Sequence, residues 1–133
     1  MPDARNLADL SQVFPMVPAG ANASAPTTAS GSWVDTENWI GDAVLVVNVG
    51  SVTGSFGSLK VQIECSAANT GTSPSNCADP RNAGLLTITA LGTYVMPFNV
   101  DQLPLDFVGV ACTYTGITAA TFSAEIIGRK QAN

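Results

Sequence analysis

The sequence feature that most constrains the fold is a strand-like stretch from Ala43 to Cys65. From residue 58 onward, apolar residues alternate with Lys, Gln and Glu, the period of two that turns one strand face to a core and the other to water. Residues 43–49 include a single polar side chain, so we expect this part to be covered on both faces, by the core and by a further layer such as another subunit. A Gly- and Ser-rich segment, 50–57, separates the two parts and predicts an antiparallel hairpin.

Other segments predict further short strands separated by turn residues: 33–40, 84–89, 93–98, 107–115 and 121–128. The polar loop 66–83 is expected to project from one end of the domain. A chain of 133 residues fits one domain with a real core. We therefore predict an all-β fold, an antiparallel β-sandwich of jelly-roll or immunoglobulin-like type over residues 32–130, with 131–133 as a C-terminal tail.

Residues 1–31 are predicted to form an extended N-terminal arm. Leu7 and Leu10 recur at helical spacing, which predicts a short helix near residues 3–12 that must dock on something, because so short a helix is marginal in water. The remainder, 13–31, contains three prolines and no sustained periodicity.

Apolar side chains within the arm suggest that it binds something. Phe14, Met16 and Val17 are anchors that a solvated tail would not need. The arm either lies in a groove of a partner or neighbouring subunit, or straps back over its own core. For the first case the candidate partner-binding residues are Leu7, Leu10, Phe14, Met16 and Val17.

The composition excludes some function classes. Only 11% of residues are charged, well below the roughly 25% of average domains, so the surface is rich in small polar residues and suits protein contact as well as it suits an ordinary Thr-rich sheet. The net charge is −5 and the five basic residues do not cluster, which excludes nucleic acid as an expected partner. No apolar run reaches the ~20 residues of a membrane span, and the N-terminus lacks a signal-peptide layout, so we expect no membrane contact and synthesis in the cytoplasm.

The three cysteines, Cys65, Cys77 and Cys112, lack the spacing of a zinc site or a complete disulfide framework. Cys65 and Cys112 share the parity of apolar neighbours, which favours buried small side chains. A Cys65–Cys77 bridge is compatible with the spacing but is the less favoured interpretation.

Residues able to carry catalysis are scarce. There is no histidine, and no nucleotide-binding or serine-hydrolase motif occurs. The carboxylate pairs Asp35/Glu37 and Asp101/Asp106 lie in turn-like segments, where Asp normally caps backbone amides. We therefore expect no enzyme activity, no catalytic residue, no cofactor and no metal, although Asp35 and Glu37 leave a calcium site open.

Aromatic residues raise one alternative. Trp33 and Trp39 share parity and, with Tyr94 or Tyr114, could form a platform for a sugar. Tryptophans of a core or a subunit interface are the commoner case.

The order and residue pattern of several segments resemble those of a family of small structural proteins encoded among tailed-bacteriophage head genes. The similar segments are Asp42–Gly54, Ser58–Glu64, Gly92–Val95, Phe107–Val110 and Ala120–Gly128. The resemblance implies a capsid decoration, or cement, protein, which binds the outside of the major capsid protein shell, often as a trimer. Family members commonly carry a charged residue where this chain reads Phe107–Cys112. The more apolar segment in this chain suggests a contact on that face from which water is excluded.

The sequence thus predicts a non-enzymatic virion protein that stabilises a tailed-phage capsid by clamping neighbouring capsid subunits. Its expected partners are the major capsid protein and further copies of itself, as a trimer. Alternatives are a virion-surface glycan-binding module, or a head-completion or connector protein. The candidate oligomer or capsid interface residues are Trp33, Trp39, Val44, Val46 and Phe107.

Overall fold

The computed structural model describes residues 11–71, 74–76, 84–100 and 103–129. The strands are β1 Ser11–Asn22, β2 Val34–Asp35, β3 Asp42–Ser66, β4 Ser75–Asn76, β5 Leu85–Ile88, β6 Gly92–Asn99 and β7 Phe107–Arg129. They form one seven-stranded sheet with antiparallel pairing. The predicted all-β antiparallel class is therefore confirmed, whereas the jelly-roll or immunoglobulin-like sandwich stays a prediction. Within the described ranges, no helix has the length and hydropathy needed to cross a membrane.

Two long strands form the spine of the sheet. β3 has 25 residues and β7 has 23, and the two pair along almost their whole length. In the first half of the spine, β3 before Gly54 pairs with β7 after Gly116, and β6 and β1 flank them. In the second half, β5 and β4 flank β3, and β2 flanks β7. We call these the β1–β6 half and the β2–β5 half.

The predicted hairpin over residues 43–65 is wrong, because both of its parts belong to the single strand β3. The register shifts between Gly54 and Ser58, so three residues of β3 lie opposite one residue, Gly116, of β7. Gly116 has a φ of 77°, and a Cβ there would lie 2.7 Å from the carbonyl oxygen of Ser55. The glycines of segment 50–57 thus permit a bend in a continuous strand and do not reverse it. The segments 107–115 and 121–128, predicted as two strands, are likewise both part of β7.

The bend brings the two ends of β7 together. The Thr36 amide donates to the carbonyl of Asp106 (2.8 Å), and the Ile40 amide donates to the carbonyl of Arg129 (3.0 Å). The four-residue step from Thr36 to Ile40 spans at most about 14 Å, whereas a straight strand the length of β7 would span about 75 Å. The sheet therefore folds over, and its two halves bury the same face.

That shared face forms one hydrophobic core. β3 contributes its odd-numbered residues from both halves, and β7 contributes mainly even-numbered ones. Among the fully buried members are Leu45, Val47, Leu59, Val61, Val108, Val110 and Ile126. The period of two read from residues 58–65 is confirmed.

Of the two interpretations of the N-terminal arm, the described residues agree with the strap over the chain's own core and not with a free arm. β1 pairs with β7 as an outer strand, and Thr27 forms a further antiparallel bridge to Ala111. Register shifts on either side of Val17 accommodate the prolines of β1, which an edge strand tolerates because it needs fewer amide donors. The described part of residues 1–31 therefore contributes a strand to the sheet. The predicted helix near residues 3–12 lies almost wholly outside the described residues, as does the 131–133 tail.

Candidate protein-interaction face

One face of the β1–β6 half points away from the core and presents two rows of apolar side chains across four strands. In the first row Val13 and Val44 flank Ile127, and Pro97 follows Val44. In the second row Pro15 and Val46 flank Glu125, and Val95 follows Val46. We call these eight residues the outer sheet face.

The outer sheet face is open to solvent. Val13 and Val95 are 55% and 58% exposed, and both prolines are exposed, while the remaining members are half-buried. The apolar area is on the order of 300–400 Å², in the range of the largest patch of a typical monomer, which is often functional. Neighbouring polar residues such as Asn48, Thr93 and Ser123 continue the face, as the rim of a protein interface does.

The corresponding face of the β2–β5 half is covered in part by the chain itself, at Gly109, whereas Lys60, Leu85, Thr87 and Thr113 on that face are exposed. Trp33 lies over Gly109 of β7, where a Cβ would come within 2.7 Å of the indole, and Gly71 meets the same indole with an equivalent distance of 2.5 Å. The indole Nε1 donates to the carbonyl of Thr28 (3.2 Å). The loop after β3 therefore folds over Trp33 at Gly71, and the described part of the predicted loop 66–83 does not simply project. Beside this cover, burial raises the pKa of Glu64, which the alternating pattern had placed in water.

Trp39 is a core residue. It is 4% exposed, its ring centroid lies 5.6 Å from that of Phe14, and a Cβ on Gly128 would lie 2.0 Å from its ring. The absence of a side chain at Gly128 thus creates the space that the indole fills. Trp33 and Trp39 were both candidate interface residues, and the structure buries both within this chain.

The described candidate arm residues also pack within this chain. Met16 and Val17 are each 3% exposed and belong to the core, and the half-buried Phe14 packs against it. Binding of these side chains to a partner would require β1 to leave the sheet. Leu7 and Leu10 lie outside the described residues.

Of the remaining candidates, Val44 and Val46 lie on the outer sheet face, whereas the half-buried Phe107 pairs with Asp35 and Ser66 at the start of β7. Sequence analysis missed the other members of the face. A signal existed: Val95 and Ile127 are apolar residues at positions whose strand neighbours point inward, as are Val44 and Val46.

A pocket of about 520 Å³ lies between the two tryptophans, with Phe14, Val34 and Asp35 in its wall. Its size is that of a ligand site. Trp33 and Trp39 expose only 5% and 4% of their surface, which leaves little ring face on which a sugar could stack.

Of the carboxylates considered for catalysis, Asp35 caps a turn, because its Oδ1 accepts the amide of Glu37 (2.9 Å). Asp106 is bound through its backbone carbonyl, which accepts both the amide and the hydroxyl of Thr36 (2.8 Å each). Asp101 lies outside the described residues. Across the described part of the chain, no three His, Cys, Asp or Glu side chains are grouped as metal ligands would be.

The cysteines divide into a bonded and a free one. Cys65 is disulfide-bonded, so the preference for a free thiol there is wrong, whereas the expected free, buried thiol is confirmed at Cys112. Cys77, the one remaining cysteine of the chain, lies outside the described residues.

Burial raises the pKa of Cys112 to about 12, so its thiol is protonated and inert at neutral pH. Burial, with a smaller contribution from Cys112, also raises the pKa of Tyr114, whose hydroxyl donates to the carbonyl of Asn22 (3.0 Å).

No protein-family model matches this sequence, and no curated protein matches it. Among solved structures, the chain is similar to the SPBc2 prophage-derived protein YomS, with a TM-score of 0.55 and 11% identity over 89% of this chain and 91% of that one. It is also similar to a protein of Bacillus endospore appendages, described as disulfide-linked pili (TM-score 0.46, 9% identity, 92% and 91% covered), and to a chain of the Ralstonia phage GP4 capsid (TM-score 0.44, 15% identity, 92% and 84% covered). The likeness to YomS shows a shared fold.

Proposed function

We propose that this chain is a non-enzymatic structural protein of a tailed-phage virion, which binds the outer surface of the capsid and stabilises it by holding neighbouring capsid subunits together. The observation that carries the proposal is the outer sheet face. The apolar area that the outer sheet face leaves open is the surface expected of a subunit that is completed by another protein, whereas the exposed residues on the same face of the β2–β5 half are mainly polar.

Two further observations support a virion role. The fold is shared with a prophage-derived protein. The low content of charged residues suits a protein that lies against others, and a shell repeats the same contact many times, so that a modest affinity at each site is sufficient.

The attachment differs from the one predicted from sequence. Because Met16 and Val17 are buried in this chain's own core, the contact is assigned to the outer sheet face, to which residues 13–31 contribute only Val13 and Pro15. Trimeric assembly, which the resemblance to decoration proteins implies, is part of the proposal, with subunit contacts outside the outer sheet face.

The proposal is tested with phage particles assembled without this chain. They should release DNA at a lower temperature and after milder osmotic shock than wild-type particles, and purified protein added back should restore the resistance. A Val95→Asp variant should fold and fail to restore it, whereas Leu85→Asp, on β5 of the other half and 38% exposed, should restore it. Equal resistance of particles with and without the chain would refute a stabilising role.

A further inference from the structure

Glu125 is the one ionisable residue within the two apolar rows of the outer sheet face. It is half-buried, and its cross-strand neighbours are Pro15 and Val46. Along β7 its neighbours on this face are Ser123 and Ile127. The nearest described basic residue of the same face is Arg129, about 13 Å further along the strand. No described residue forms an ion pair with Glu125.

A wholly apolar partner is therefore a poor fit to this face. Any protein that covers the second row, from Val95 and Val46 to Pro15, also removes water from the carboxylate of Glu125, which lies within that row. A carboxylate that loses water without gaining a cation or hydrogen-bond donors is strongly destabilised, and it would oppose the binding that the apolar residues favour. We infer that the protein covering the outer sheet face presents a basic side chain to Glu125 from within an otherwise apolar surface.

Judged on the described residues, two outer sheet faces packed on each other do not meet this requirement. When two outer sheet faces pack against each other, Glu125 of one copy lies opposite Arg129 of the other only if the two-fold axis passes through Ile127. That arrangement places the apolar Val46 and Val95 opposite the polar row of Asp42 and Asn99, which lies four residues away along the same strands. The chain's net charge of −5 also opposes self-association and favours a partner with a basic patch.

The inference rests on the proposed function, since the partner is then a protein of the capsid shell. The experiment measures binding of labelled protein to shells that lack this chain. Glu125→Gln should weaken binding about 10-fold and Glu125→Arg about 100-fold or more, because an interface charge is then unpaired or reversed. Glu37→Arg, at an exposed turn on a different surface, is the charge-matched control and should bind within about 2-fold of wild type. Circular dichroism and thermal unfolding verify that each variant folds.

Salt and genetics give independent readouts. Wild-type affinity should fall as salt is raised, and the fall should be shallower for Glu125→Gln. Phage carrying Glu125→Lys should regain stability through shell-protein substitutions that replace a basic residue with an acidic or neutral one.

Three results would overturn the inference, and they are distinguishable. If wild-type protein binds shells and Glu125→Arg binds equally well, the charge pairing is wrong while the proposed function stands. If wild-type protein does not bind shells at all, the proposed function fails and the inference with it. If sedimentation shows wild-type protein self-associating and Val95→Asp or Glu125→Arg abolishes this, a second copy covers the face.

Discussion

The packing of Trp39 on Gly128 predicts a large penalty for adding a single methyl group. In Gly128→Ala the new Cβ would lie 2.0–2.5 Å from three atoms of the indole, which is more than 1 Å closer than ordinary contact. Trp39 is 4% exposed and packs on Phe14, so the indole can retreat only towards the pocket between the two tryptophans, at the expense of this packing. Overpacking of this kind costs about 1–3 kcal/mol, and we expect a loss of about 2–3 kcal/mol in the free energy of unfolding.

Urea unfolding, followed by far-ultraviolet circular dichroism, measures this loss. Gly20→Ala is the control, since nothing lies within 4 Å of a Cβ there, and it should change stability by no more than about 0.5 kcal/mol. In a Trp39→Leu background the clashing ring atoms are absent, so Gly128→Ala should then cost under about 1 kcal/mol, a coupling of at least ~1 kcal/mol. An equal cost in both backgrounds would refute the assignment of Trp39 to this contact.

Three further outcomes are expected. Gly116→Ala should lower stability by about 2–3 kcal/mol in urea unfolding, whereas Gly31→Ala, also at positive φ but with open space around it, should cost only about 1 kcal/mol; similar losses would contradict the role of the bend. Thiol titration of denatured, unreduced protein should give one thiol, and Cys65→Ser should lower stability by about 3 kcal/mol, as loss of a short-loop disulfide does; three thiols would contradict this. Burial raises the pKa of the Cys112 thiol in the folded state, so the thiol's contribution to stability is complete below its unfolded pKa near 9 and is lost as pH rises towards about 12. The free energy of unfolding should therefore fall less between pH 8 and pH 10 for Cys112→Ala than for the wild type, and an equal fall would contradict this.

The strand faces could be predicted from sequence, but the connections between strands could not. Residues 58–65 have the predicted burial because alternation is a local property. Whether Gly54 and Gly57 reverse the chain or bend it depends on what lies opposite. Here the partner is Gly116, distant in sequence, and a bend satisfies both strands.

The N-terminal strand shows a second limit. Pro15 and Pro18 argue against a strand in isolation, and β1 forms because β7 offers an edge to a strand with an irregular register. Long-range pairing of this kind leaves little trace in the local pattern.

The candidate site was identified in part. Val44 and Val46 were found because apolar residues on both faces of a strand indicate a second contact. Trp33 and Trp39 were not separable from interface residues by sequence, because the glycines that accommodate them, Gly109 and Gly128, become their neighbours only in the folded chain.

We propose that the outer sheet face binds the capsid shell, and cryo-electron microscopy of intact particles tests this most directly, through the copy number of this chain and its orientation. We expect hundreds of copies on the outside of the shell, with Val95 and Glu125 against capsid subunits. Six or twelve copies at one vertex, or an outer sheet face turned to solvent, would contradict the account.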